Sequence, residues 1–417
     1  MLALSIFWRT VKRQFMTPVS TRVLKCDPSS IHFPHNSDQP EFTCPETLDA
    51  LKVASHHLVD LSETVAFPTE TVYGLGAMAL STPAANRIFT TKGRPADNPL
   101  IVHVSSFTML YTLLPENYVL SRAYQALIKH FWPGALTLLF PRDASIIPTI
   151  ITAGQPTVAL RMPSHPVARA LIAVANTPLA APSANTSGKP SPTRAGHVFR
   201  DLNGKINIIL DGGACEVGLE STVVDGLHED GKIRVLRPGG ITVEDIQRVL
   251  NEEMHGCNHI PEVLVHRRDY MDEAMEQAPT TPGMKYRHYS PSVPLTLLMT
   301  SSRPLMGESS SSASSFLESL RTTQPLKIGI LAPSDSALWD ILPADGFEWV
   351  RYPLGPTAEP SVSAHRLFDG LLTLERKGVD IMLIEEVKED REGLAVMNRV
   401  RKAAGDVRWI SLEQKGI

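Results

Sequence analysis

The chain is poor in cysteine: Cys26, Cys44, Cys215 and Cys257 are its only four in 417 residues, and no pair has Cys-x-x-Cys spacing. That excludes a disulfide framework for so long a chain and makes a reducing compartment the expectation. No stretch approaches the ~18 consecutive apolar residues of a membrane span. None of the 14 histidines falls in a His-Glu-x-x-His pattern, so a zincin-type centre has no support and no protein-held metal is expected. Excess positive charge is missing too. Lys plus Arg is 40 against 44 for Asp plus Glu, a net −4 that does not suit a general nucleic-acid coat. What the chain has in plenty is proline, 33 of 417 or about 8%, where about 5% is usual. Rigid loops follow, and loops are where sites are built. Hydrophobic residues at 43% supply ordinary cores, and at roughly 150 residues per domain the length implies two to three domains.

Residues 1–45 read as a basic N-terminal extension and linker. Arg9, Lys12, Arg13, Arg22 and Lys25 precede the first acid, Asp27, in a stretch that also holds Leu2, Leu4, Ile6, Phe7 and Trp8. This fits a mitochondrial transit peptide and a disordered basic tail equally well. A second start at Met16 would remove half of the segment, so a cytoplasmic protein with a mitochondrial form is the expectation. Pro28, Pro34, Pro40 and Pro45 mark 27–45 as linker.

From 46 to 250 strand and helix signals alternate. Helices are expected at Thr47–Leu61, Arg122–Phe131 and Pro166–Ala175. Strands are expected at Thr64–Phe67, Pro99–Val104, Leu136–Phe140, Thr157–Arg161 and Ile206–Leu210, with a hairpin of Thr222–Asp225 and Ile233–Leu236 around Asp230-Gly231. This is one α/β domain. Residues 251–294 have no clean period and read as an interdomain linker. A second α/β domain, 295–417, has strands at Leu295–Met299, Ile328–Leu331, Trp349–Pro353 and Ile381–Val387 and helices at Ala364–Lys377 and Leu394–Ala404. It implies a small open sheet with parallel pairs, and Ser309–Ser315 reads as a low-complexity loop within it.

Two motifs mislead. Gly74-x-Gly76-x-x-Ala79 imitates a dinucleotide fingerprint, but ~20 residues on stand Lys92, Gly93 and Arg94 where a ribose-binding acid belongs. Gly226-x4-Gly231-Lys232 imitates a P-loop, with Ile233 in place of the Ser or Thr that holds Mg²⁺. Both read as turn glycines. Other loops carry more. Pro68–Gly76 packs Thr69, Glu70, Thr71 and two glycines behind a strand. Lys92-Gly93-Arg94 with the following Asn98-Pro99 suits polyanion binding. Arg161 ends an apolar strand, which demands a carboxylate or an anionic ligand. Ser183-Ala184-Asn185 opens a run of hydroxylic residues reaching Ser191 and Thr193, fit for an anion nest. Gly218-Leu-Glu-Ser221-Thr and Arg237-Pro-Gly complete the set. Cations abound here and carboxylates are few, so anion handling with electrostatic stabilisation is the chemistry, and nucleotidyl transfer fits it better than redox.

K-G-R at 92–94, S-A-N at 183–185 with the hydroxylic run after it, S-T-V-V-D at 221–225, R-P-G at 237–239 and P-G-M-K-Y-R-H-Y-S-P at 282–291 stand in one order. With these motifs the chain closely resembles the long, two-domain threonylcarbamoyl-AMP synthases, whose first domain is of the YrdC type. The resemblance implies a YrdC-type twisted α/β domain, a linker acting as lid and a smaller Rossmann-like α/β domain. It implies condensation of L-threonine, bicarbonate and ATP, with Mg²⁺, into L-threonylcarbamoyl-adenylate and pyrophosphate. A separate tRNA threonylcarbamoyl transferase would accept the adenylate, so tRNA is at most an indirect partner. Carried over by motif, Thr71, His103, Arg161, Ala181 and Ser221 would surround threonine. Arg94, Asn98, Thr157, Ser183, Ser191, Arg237, Tyr286 and Tyr289 would hold ATP. Lys92, Arg94 and Asn185 would act on the phosphates or carbamate. His103 is a candidate general base by residue type alone. The alternatives are a double-stranded RNA or tRNA binding module without catalysis, and another carbamoyl-transferring enzyme, which would carry zinc-finger-like cysteines that this chain lacks.

Overall fold

A computed structural model describes residues 20–35, 37–257, 259–272, 288–302, 304, 309–343 and 345–412. An eleven-stranded mixed sheet organises the first domain. In spatial order its strands are Arg22–Lys25, Ile208–Asp211, Val65–Phe67, Gly74–Met78, Leu179–Ala180, Ile101–His103, Thr157–Arg161, Leu136–Pro141, Thr222–Asp225, Ile233–Arg237 and Val263–Val265. Successive side chains leave a strand on opposite faces. Val65 and Phe67 therefore join one apolar cluster, with the helices Pro45–Val59 and Pro166–Ala175, while Ala66 joins the other. That second cluster lies under the helices Thr82–Lys92, Arg122–Phe131 and Val243–Glu253. Burial on both faces is why these strands read as continuous apolar runs.

Several sequence expectations need correction here. Arg22–Lys25 belongs to no tail: it is a strand parallel to Ile208–Asp211, and Asp27 caps a short helical turn at Pro28–Ser30. The foregoing residues 1–19, with the transit-peptide reading and Met16, lie outside the described residues. Val263–Val265, inside the expected linker, extends the first domain's sheet beside Ile233–Arg237. Gly74 and Gly76 are strand residues, not turn residues; a Cβ on Gly76 would lie 2.5 Å from the Phe67 ring, so the glycine makes room for a neighbour's aromatic side chain. Gly231 does sit in a turn, with φ +67° between antiparallel strands.

The second domain is a six-stranded parallel sheet in the order Ser310–Ser312, Asp406–Ser411, Leu295–Met299, Ile381–Glu385, Leu326–Ala332, Phe347–Pro353. The Ser-rich stretch is thus an edge strand followed by the helix Ala313–Ser319, with Ser312 as its N-cap, and not a loop. Helices Pro360–Arg376 and Glu392–Ala403 cover the side facing the first domain, where Val72, Leu219 and Tyr289 join the second domain's apolar cluster.

Candidate active site

The loops at strand ends converge on one cavity of about 530 Å³, lined by Thr71, Lys92, Arg94, His103, Arg161, Ala181, Ser183, Glu220, Ser221, Arg237, His288 and Tyr289 among others. Local chemistry explains each placement. In the loop after Val65–Phe67, the Thr69 hydroxyl accepts from the backbone N–H of Thr71 and Val72 (both 3.2 Å) and donates to the Val72 carbonyl (2.6 Å). That tight turn delivers a buried Thr71 to the cavity. The helix Thr82–Lys92 starts at a Ser81 cap and stops at Gly93, whose φ of +63° lets its N–H bond back to Phe89 and Thr90. The stop turns Lys92 inward and leaves Arg94 half-buried at the rim.

Lys92 is not a solvated loop cation. Its ammonium donates to the carbonyls of Ser183 and Asn185, the latter at 2.6 Å, and so fixes the Ser183–Asn185 loop. That loop is also sewn to the neighbouring strand by Ala184 N–H to the Tyr73 carbonyl and Leu75 N–H to the Pro182 carbonyl, each 2.8 Å. Burial, followed by the charge of Arg94, pushes the lysine down to about 7. His103, also buried, is driven down to about 3 by burial and by Arg161. It is therefore a neutral and very weak base, a poor candidate for the general base.

Arg161 has the carboxylate its position demanded: Nη2 donates to Glu70 Oε1 at 2.6 Å and Nε to the Gly134 carbonyl at 3.1 Å. Arg237 grips Ser221, donating from Nη2 to its carbonyl (2.9 Å) and its hydroxyl (3.2 Å). Ser221 is held on its other side by Thr137 at 2.8 Å. Glu220 accepts from the Ser191 hydroxyl at 2.6 Å and from Arg399 Nε of the second domain at 3.1 Å. Burial works to raise its carboxyl, and Arg399 and Arg237 outweigh that, holding it down at about 2. Tyr289 is pushed up to about 12 by burial and by Glu220.

Ten of the expected residues thus meet in one cavity: Thr71, Lys92, Arg94, His103, Arg161, Ala181, Ser183, Ser221, Arg237 and Tyr289. Four stand back from its wall. Ser191 reaches it through Glu220, and Asn185 meets Lys92 through its carbonyl. Asn98 offers its carbonyl to Arg94 at 3.0 Å, and Thr157 begins the strand that Arg161 ends. Tyr286 lies outside the described residues. Glu220, His288 and Arg399 were missed as functional residues. The first two were in view, inside the Gly218–Thr222 and 282–291 motifs; Arg399 had no local signal at all.

A mixed α/β domain gathers cations around one cavity, and a parallel α/β domain packs against it through Val72, Leu219 and Tyr289: this is a two-domain α/β protein with a cation-lined site. A family model described as "Telomere recombination", of the Sua5, YciO and YrdC group, matches residues 58–239, and one described as "Threonylcarbamoyl-AMP synthase, C-terminal domain" matches 241–405. The threonylcarbamoyl-AMP synthase of Schizosaccharomyces pombe is 42% identical over 93% of this chain and 97% of its own length. That of Pyrococcus abyssi is 44% identical over 82% of this chain and 90% of its own. The crystal structure of P. abyssi Sua5 complexed with L-threonine superposes with a TM-score of 0.70, at 37% identity, covering 93% of this chain and 99% of that one. The chain belongs to the threonylcarbamoyl-AMP synthase family.

Proposed function

We propose that this protein is a nucleotidyltransferase that makes L-threonylcarbamoyl-adenylate from L-threonine, bicarbonate and ATP, for the N6-threonylcarbamoyladenosine modification of tRNA. The observation that carries this is the gathering of Lys92, Arg94, Arg161 and Arg237 with the hydroxyls of Thr71, Ser183 and Ser221 around one cavity. The neutral threonine amine attacks bicarbonate and water leaves, giving the carbamate. A carbamate oxygen then bonds to the α-phosphorus of ATP as the bond to the β-phosphate oxygen breaks, and pyrophosphate departs. Threonine carboxylate, carbamate and triphosphate repel one another, so binding them together requires cations and donors fixed in place beforehand. Thr71, His103, Arg161, Ala181 and Ser221 face threonine; Arg94, Ser183, Arg237 and Tyr289 face the nucleotide.

Mg²⁺ enters with ATP as part of the substrate. Glu220, in the cavity wall, is paired with Arg399, and Glu70, behind that wall, with Arg161. Among the described residues no group of three or more His, Cys, Asp or Glu is placed to hold a metal ion. An RNA-binding module is disfavoured because Lys92, Arg161 and Arg237 are at most 4% exposed and so out of reach of a phosphate backbone. The adenylate passes to a separate transferase that modifies tRNA, so tRNA is at most an indirect or weak partner of this chain. Pyrophosphate release from Mg-ATP, with threonine and bicarbonate omitted in turn, tests the reading. Release that requires both is expected; release without threonine, or none from folded protein, overturns it.

A further inference from the structure

Arg399 lies in the second domain, on the helix Glu392–Ala403, yet it is completely buried against the first domain. Its Nε donates to Glu220 Oε2 at 3.1 Å, and its Nη1 to the carbonyls of Pro238 and, at 3.3 Å, Ala395. Pro238 directly follows Arg237, so one guanidinium grips both the carboxylate in the cavity wall and the end of the strand that presents Arg237. The guanidinium also stands 5.9 Å from the centroid of the Tyr289 ring. Arg399 does not line the cavity. It touches three pieces that do.

Its own position is tightly determined. The His288 N–H donates to the Lys402 carbonyl at 3.3 Å and the Ser290 hydroxyl to the Ala403 carbonyl at 3.1 Å, so the last turn of the helix seats the stretch carrying Tyr289. The two domains meet without slack. Gly218 has a φ of +77°, and a Cβ there would lie 2.5 Å from the His365 carbonyl oxygen of the second domain.

A carboxylate in the wall of a cavity for polyanions is unfavourable twice over, through its own desolvation and through repulsion of its ligands. Glu220 is tolerable there because a cation stands directly behind it. So neutralised, it serves as an acceptor for the Ser191 hydroxyl at 2.6 Å and for the Tyr289 hydroxyl. We propose that Arg399 is a positioning residue of the reaction, contributed by the second domain, which keeps Glu220 ionised and oriented so that Ser191 and Tyr289 are fixed on the nucleotide side of the cavity. This rests on the reaction proposed above. The second domain is then a working part of the catalytic site.

The charged and titratable groups around Glu220 are Lys92 on the helix Thr82–Lys92, Arg237 at the end of its strand, His288 and Tyr289 in the linker, and Arg399 and Lys402 on the helix Glu392–Ala403. Without Arg399, burial drives the Glu220 carboxyl upward, and protonation removes the acceptor that Ser191 and Tyr289 use. Activity of such a variant falls as pH falls. Lys92, near 7, and His288, near 4, have no contribution from Arg399. Lys402, held near 7 by burial and by the charge of Arg399, moves upward without that charge. The double variant carries the same change while lacking the Glu220 carboxyl, so an acid limb present in the single variant and absent from the double isolates Glu220.

The experiment compares full-length wild type with Arg399→Met, Arg399→Lys and the double variant Glu220→Gln/Arg399→Met. Pyrophosphate release is measured against ATP from about pH 5.5 to 8.5, with folding checked by circular dichroism. Arg399→Met is expected to raise KM for ATP about tenfold or more and to gain an acid limb that wild type lacks. Arg399→Lys, which keeps the charge but not the fork, falls between. The double variant, with a neutral amide accepting both hydroxyls, loses the limb and recovers most of the affinity. An Arg399→Met profile that overlays wild type, or a double variant no better than the single, overturns the proposal. Should Arg399→Met fail to fold, recovery in the double variant relative to Arg399→Lys decides the matter. If wild type itself shows no threonine- and bicarbonate-dependent release, the reaction assignment fails separately, and the same acid limb is then sought in ATP affinity by titration calorimetry.

Discussion

Both domains form a recess where loops leave the ends of strands, and the two recesses carry opposite charge. In the first, Lys92, Arg94, Arg161 and Arg237 line the wall. In the second, a cleft of about 1290 Å³ opens beyond the strands Leu295–Met299, Leu326–Ala332 and Ile381–Glu385, edged by Thr300, Ser301, Ser302 and Ser336 with Glu385, Glu386 and Glu389. Their buried charges are also treated differently. Glu70 and Glu220 each face an arginine. Glu385 instead meets hydroxyls, Thr300 at 2.8 Å, and burial raises its carboxyl above the usual range. The α/β arrangement therefore does not dictate what a recess receives. The side chains at the strand ends do, and in the first domain they are chosen for anions.

The strongest way to break this contrast is to strip an arginine from its buried carboxylate. Arg161→Met leaves the buried Glu70 without its ion-pair partner, with an expected loss of about 3–5 kcal/mol in chemical denaturation, while Glu70→Gln/Arg161→Met recovers much of it. A loss near zero would mean that the buried pair contributes little to the stability of the first domain. Arg94→Ala tests the cavity's charge without touching the core, because that side chain is half-buried at the rim. Turnover should fall about 10²–10³-fold, roughly 3 kcal/mol, at an unchanged melting temperature; near-normal turnover would show that the nucleotide lies elsewhere. The smallest effect belongs to the second domain. Because the Glu385 carboxyl is raised in the folded state, its contribution to stability is fully present below the ordinary carboxylate range and is lost as pH rises through the folded value. Glu385→Gln should flatten that decline and lift the melting temperature at pH 8 by about 1–2 °C, with pyrophosphate release unaltered. An unchanged pH dependence would place the titration on another group.

Legibility followed locality. Arg122–Phe131, Pro166–Ala175, Thr157–Arg161 and Leu295–Met299 appear at the bounds read from apolar runs and their Pro or turn punctuation, because both faces of each sheet are covered and periodicity carries the signal. Arg22–Lys25 and Ser310–Ser312 were hidden because each is a short edge strand, the one with a cation at each end and the other all serine, whose identity comes from one distant partner, Ile208–Asp211 or Asp406–Ser411. The site divides in the same way. Lys92, Arg161, Ser221 and Arg237 announced themselves at strand or helix ends. The roles of Lys92 as a clasp on the Ser183–Asn185 carbonyls and of Arg399 as a partner to Glu220 exist only once residues 91 and 179 positions apart are brought together.

The first strand also bears on how the protein can be processed. Arg22 N–H donates to the Asn207 carbonyl and Cys26 N–H to that of Asp211, each at 2.8 Å, so the sheet's ordered edge begins a few residues after Met16. Thr21 belongs to the same edge: its hydroxyl donates to the Ile206 carbonyl at 2.5 Å and accepts from the Gly204 N–H at 2.9 Å, so a cut before Thr21 leaves the edge whole. A cut beyond Lys25 would expose the backbone of Ile208–Asp211 as an unpaired edge and invite pairing between chains.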